Sequence, residues 1–163
     1  MTAVLALLEG TVRVTSATGA RDITAAEFFL GPLESAVRPG ELATEVTLPM
    51  LPPRSGTAFV EVARRAGDYA VCGVAALVRL AEDGSIAAAR CAYLSMAPTP
   101  TVLDLGAAAA DPRAAADMAQ GQLAPEGDLH ASADYRRHLA GVLTERALVQ
   151  ALGTARTTGL EAA

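Results

Sequence analysis

Lysine and tryptophan are absent from this chain, and aromatics are scarce: Phe28, Phe29, Phe59, Tyr69, Tyr93 and Tyr135 are the only ones among 163 residues. Without lysine there is neither Schiff-base chemistry nor a lysine general base. All thirteen basic residues are arginine, scattered except for Arg64-Arg65 and Arg136-Arg137, and the net charge is −5. That balance excludes the basic footprint of nucleic-acid binding. Cys72 and Cys91 form no CxxC, fit neither a zinc nor an iron–sulfur motif, and sit in apolar stretches as small hydrophobes. No apolar run approaches the roughly 18 to 20 residues of a membrane span. The opening "MTAVLALLEG" lacks a basic n-region and is too short for a signal peptide. The expectation is a soluble, cytoplasmic protein without a membrane span.

Catalytic constellations are missing too. There is no GxSxG elbow, no GxGxxG and no GxxxxGK[ST]. His130 and His138 are the only histidines, and eight residues is not the i, i+4 spacing of a metal pair. Read by residue type alone, nothing here catalyses a reaction unaided.

What is present is small and apolar: hydrophobic types reach 52% through an excess of alanine. "MTAVLALLEG" reads as a helix with Gly10 as its C-cap, "TVRVTS" and "RDIT" as paired strands around the turn "ATGA", and "AAEFFLGPL" as short helical or irregular chain. "RPGE" is a turn before the strand "ELATEVTLP", marked by Leu42, Val46 and Leu48. "LPPRSG" (51–56) is the best linker, and a domain boundary is expected there. Beyond it, "TAFVEVARR", "YAVCGVAALVRL" and "IAAARCAYLS" form an antiparallel meander with an Asp83-Gly84 hairpin turn. "APTPTV" breaks the chain. "DLGAAAA" and "PRAAADMAQGQL" read as short helices, and a long final helix, capped by Ser132, is expected to end at Gly153 before a flexible tail (153–163). The fold class is α+β: a remnant of strands and helix (1–50), then a three-stranded antiparallel sheet packed with helices (56–152).

The segment "RRAGDYAV" stands out, because Asp68 and Tyr69 fall between a strand end and a strand start. An aromatic there is placed to stack on a planar ligand, with Arg64 or Arg65 to meet a phosphate or pair with Asp68. The plainer alternative is an Arg–Asp bridge with a tyrosine covering a sheet edge.

Four ordered segments, "EFFLGP", "PGELATEVTLP", "AFVEVARRAGDYAVCGVAALV" and "DLHASADYRRHLAGVLTERAL", resemble the FAD-binding middle subunit of the molybdenum hydroxylases, the carbon monoxide dehydrogenase and xanthine dehydrogenase superfamily. The resemblance runs from about Ala3 to Leu152. It implies that residues 1–50 end an FAD-binding domain and that 56–152 form the C-terminal domain of such a subunit. It also implies FAD as cofactor. The partners it implies are a large subunit carrying molybdopterin and a small subunit carrying [2Fe-2S] clusters, from which electrons reach the flavin and then an acceptor. By the same resemblance Tyr69 covers one face of the flavin ring, Arg65 and Asp68 surround it, Ala43 packs on the cofactor, and Glu61 falls where relatives carry Lys or Glu. The terminal helix is implied to be structural.

Two departures qualify the match. The family's two glycine-rich segments, which hold the FAD pyrophosphate through backbone N–H groups, have no counterpart here, so the implied site is partial and binds FAD weakly or not at all unaided. "GPTPVR" of relatives appears as "APTPTV", without the arginine. Two other readings stay open: a flavin-free interaction or assembly module, for instance a homodimer, and a truncated product without function.

Overall fold

The computed structural model describes residues 1–161, with side chains placed through Gly159. The order is α1 (Thr2–Leu7), β1 (Thr11–Ser16), β2 (Gly19–Thr24), α2 (Ala25–Phe28), β3 (Phe29–Gly31), β4 (Glu34–Ser35) and β5 (Leu42–Thr47). Then follow β6 (Ser55–Ala63), β7 (Ala70–Leu80), β8 (Ile86–Leu94), β9 (Thr101–Asp104), α3 (Pro112–Gln122) and α4 (Ala133–Glu161). The sheets are antiparallel, with orders β2-β1-β5, β3-β4 and β6-β7-β8-β9. The α+β class is as expected.

Alternation builds the first sheet. Val12 and Val14 point into a small core with Leu5, Ile23 and Ala25, while Arg13 faces out and its guanidinium donates to Asp22 directly across the pair (2.8 and 3.0 Å). Strand β5 does not follow this pattern. All six of its residues are exposed, including the apolar marks Leu42 (73%) and Val46 (53%).

The long run of β7 is apolar on both faces because both faces are covered. Cys72, Val74, Ala76 and Val78 pack towards α4, whereas Ala75, with Ala92 of β8, packs under Ala3 and Leu7 of α1. Alanines on that second face let a short helix sit close to the sheet. Tyr93 is fully buried on the α4 side, where its hydroxyl shares a 2.8 Å hydrogen bond with Thr144.

Four expectations change. The meander has a fourth strand, β9: after Pro100 the chain pairs Thr101–Asp104 with β8, so "APTPTV" and the start of "DLGAAAA" are strand and turn, not break and helix. Asp104 Oδ1 accepts the Gly106 amide (2.9 Å), a local turn that competes with helix formation, and Leu105 plugs the core instead. In α1, Glu9 rather than Gly10 takes the left-handed conformation (φ 54°). Gly10 is reserved for packing, since a Cβ there would lie 2.6 Å from Leu5 Cδ1 and 2.8 Å from Thr47 O. Ser55 and Gly56, expected at the end of a linker, begin β6.

The fourth change is at the C-terminus. Helix α4 does not stop at Gly153 but continues to Glu161, so the flexible tail expected over 153–163 is helical through 161, and 162–163 lie outside the described residues. Gly153 costs about 1 kcal/mol relative to alanine in a helix interior. Packing beyond it offsets that: Ala155 is fully buried, and Thr158 Oγ1 donates to Ser55 O (3.0 Å).

Candidate cofactor-facing site

Strands β6 and β7 diverge after Ala63 and rejoin at Ala70, leaving Arg64–Tyr69 as a projecting loop. Its turn closes with the Asp68 amide donating to Arg65 O (3.2 Å), and Gly67 takes the positive φ (80°). Asp68 then braces the loop from both sides. One carboxylate oxygen accepts from Arg64 Nη2 (3.3 Å) and the other from the Tyr69 amide (2.9 Å). The Arg64–Asp68 ion pair is a surface pair, worth little energy by itself; its effect is to hold the loop's shape. Tyr69 is 90% exposed. The bridge of the plainer reading exists, but the tyrosine does not cover a sheet edge: its ring is presented to the outside.

Tyr69 stands at the rim of a cleft of about 540 Å³ whose walls are this loop, the turn after β8 (Ser95–Pro98) and the segment before α4 (Ala124–His130). Pro32, Ser95, Ala97 and Pro98 also border a second, more apolar hollow of about 310 Å³ floored by Phe28 and Phe29. Those two rings meet edge to face, with centroids 5.2 Å apart.

The inner end of the cleft is organised by Arg136. Its side chain is only 8% exposed. Nη1 donates to Val71 O (2.8 Å) and Ser95 O (3.2 Å), and Nη2 to Asp128 Oδ2 (2.5 Å). Nε is buried with no partner among the described residues, a cost of about 1–3 kcal/mol that the other contacts offset. Asp128 Oδ1 accepts the amides of His130 (2.8 Å) and Ala131 (3.0 Å). Those amide bonds, led by His130, and the guanidinium lower the Asp128 carboxyl to about 2.

The five residues singled out by resemblance do not all converge. Asp68 and Tyr69 line the cleft. Arg65 and Glu61 are exposed nearby, in the same loop and in β6, but do not line it. Ala43 lies on exposed β5, in register with Val14, and borders neither hollow. Sequence reasoning missed Arg136 and Asp128. The signal was available: Arg136 shares a helical stripe with Leu139, Ala140 and Leu143, all buried, so an arginine was written onto an apolar face.

The donor set suits the ring portion of a flavin: an exposed aromatic face, apolar walls and a polar rim. No group of residues able to hold a metal occurs among the described residues, and no described helix is long and apolar enough to cross a membrane.

A hairpin with a short helix, leading into a four-stranded meander backed by one long helix, makes this an α+β module. Residues 57–151 match the CO dehydrogenase flavoprotein C-terminal domain, and residues 1–51 match the FAD binding domain in molybdopterin dehydrogenase. The chain belongs to the family of FAD-binding medium subunits of molybdenum hydroxylases. It is 37% identical to the 6-hydroxypseudooxynicotine dehydrogenase complex subunit alpha of Paenarthrobacter nicotinovorans, over 95% of this chain and 55% of that protein. It is 30% identical to the carbon monoxide dehydrogenase medium chain of Afipia carboxidovorans, over 96% of this chain and 57% of that protein. Among solved structures, carbon monoxide dehydrogenase from Hydrogenophaga pseudoflava superposes with a TM-score of 0.84 at 28% identity, covering 94% of this chain and 56% of that one. Quinoline 2-oxidoreductase from Pseudomonas putida 86 gives 0.83 at 29% identity, over 95% and 56%. The chain thus spans about half the length of the curated relatives it matches.

Proposed function

We propose that this chain forms the ring-facing wall of an FAD site in the medium subunit of a molybdopterin-dependent oxidoreductase. The observation that carries the reading is Tyr69: a 90% exposed aromatic on a loop braced by Asp68, at the rim of a cleft. An aromatic left uncovered on a shaped loop suits a planar ligand, because stacking then supplies the missing burial. When bound, FAD would accept electrons from [2Fe-2S] clusters of a small subunit, served by a molybdopterin centre in a large subunit, and pass them to an acceptor.

The chain's own residues do three things in this scheme. Tyr69 stacks and excludes water from one ring face. Asp68 fixes the loop and, with Arg65, sets the charge around it. Glu61 and Ala43 are assigned to the cofactor's surroundings by resemblance, with residues 1–50 as the end of the FAD domain and 56–152 as the C-terminal domain. The segments that hold the pyrophosphate are not among these 163 residues, so flavin affinity here rests on the ring. A cytoplasmic complex fits this role.

Flavin fluorescence titration of the chain tests the reading. Saturable quenching that Tyr69→Ala weakens supports it; quenching indifferent to Tyr69→Ala overturns it. The exposed apolar residues of β5 favour a second reading, an assembly module without flavin. A folded protein that quenches no flavin but self-associates would favour that one.

A further inference from the structure

We propose that Arg136 is the positioning residue of the Tyr69 wall: through one buried guanidinium it locks the start of β7, which follows the loop, and the end of β8 to the start of α4. The proposal rests on the reading of Tyr69 as the ring-facing residue. Val71 is two residues after Tyr69, and Ser95 begins the turn that forms another wall of the cleft; Arg136 Nη1 donates to both carbonyls (2.8 and 3.2 Å). Ser95 closes the same knot from its side. It holds a left-handed backbone (φ 62°), which costs energy for a non-glycine residue, and its hydroxyl donates to Ala70 O (2.7 Å). Every carbonyl from Ala70 to Val71 is therefore tied to something that moves with α4 or with the end of β8.

The third arm reaches Asp128 (2.5 Å), whose other oxygen organises the turn ahead of α4. A lysine offers one point charge in place of this planar fork, and cannot serve two carbonyls and a carboxylate in the same geometry. A helix that needed only an anchor would place a leucine here, as it does at Leu139 and Leu143. The buried charge gives direction rather than mere adhesion, and what it directs is the loop carrying an uncovered aromatic.

The test uses two readouts on the whole chain. Hydrogen exchange of Arg136→Lys should quicken roughly tenfold or more at the amides of 66–72 and 95–97, leaving the interiors of β7, β8 and α4 as in the parent. With riboflavin as probe, Arg136→Lys should lose quenching as Tyr69→Ala does, and the double variant should lose no more than Tyr69→Ala alone. Asp128→Asn keeps the guanidinium and removes its counter-charge; it should give the same pattern at smaller amplitude, and serves if Arg136→Lys does not fold. Unchanged exchange at both loops, or a uniform increase through the strand interiors, overturns the proposal. If exchange quickens locally but Tyr69→Ala leaves flavin quenching intact, the positioning role stands and the flavin reading fails.

Discussion

Gly56 of β6 lies against the backbone of Ala151 in α4 so closely that a Cβ at position 56 would sit 2.0 Å from Ala151 O and 2.3 Å from Ala155 N. Both are backbone atoms, so no side-chain rotation relieves the clash and the strand and helix must separate. Gly56→Ala is expected to destabilise by about 2 kcal/mol or more, measured by urea unfolding. Gly153 in the same helix has nothing within 4 Å of its virtual Cβ. Gly153→Ala should therefore stabilise by about 0.5–1 kcal/mol. A Gly56→Ala protein as stable as the parent would contradict the close contact.

Acid sensitivity follows from two carboxyls. Glu41 is held at about 2 by its forked bond from Arg21 (2.8 Å to each oxygen) and by the Arg38 amide, and Asp128 at about 2 by the His130 amide and Arg136. Both bind protons less tightly in the folded protein than in the unfolded chain. Their stabilisation is complete above the usual carboxylate range of about 4 and is lost as pH falls towards 2. Glu41→Gln should flatten the fall of the urea midpoint across that window; an unchanged slope would show that the Arg21 pair does not form.

Burial raises the Tyr93 hydroxyl far above its usual range and leaves it neutral, hydrogen-bonded to Thr144, which also donates to Ala140 O (2.6 Å). Tyr93→Phe should cost about 1 kcal/mol. Thr144→Val in the Tyr93→Phe background should cost less than in the parent, and a double-mutant cycle reads the difference. Additive losses would mean the two hydroxyls do not interact.

Cys72 and Cys91 are free, buried and pushed up to about 12 by desolvation. A thiol reagent at roughly pH 8 should leave both untouched in the folded protein and label both in urea. Fast labelling without denaturant would contradict the packing around β7.

Much of this was legible in the sequence, for reasons that can be named. The hairpin of β1 and β2, the Asp83-Gly84 turn, the Ser132 cap (Tyr135 N to Ser132 Oγ, 3.2 Å) and the long strand that follows Tyr69 all rest on local chemistry, and local chemistry formed them. What failed depended on distant partners. Gly153 has the local character of a helix end, but Ala155 docks on Gly56 and carries the helix past it, and Thr101–Asp104 is a strand because β8 offers an open edge. At the site, the loop residues Asp68 and Tyr69 could be found from position and resemblance. Arg136 was hidden in a helix read as structural, though its place on the buried stripe marked it. Ala43, by contrast, stays on the outer strand of the other sheet.

The central claim is that these residues face the flavin ring and not its phosphates. Parallel titrations of the folded chain with riboflavin and with FAD test it most directly, each repeated with Tyr69→Ala. The account predicts weak, saturable quenching with dissociation constants alike within about threefold for the two ligands, and a loss of roughly tenfold for both in Tyr69→Ala, the order of one stacking contact. FAD binding far tighter than riboflavin and indifferent to Tyr69→Ala, or a folded chain that binds neither, would contradict it.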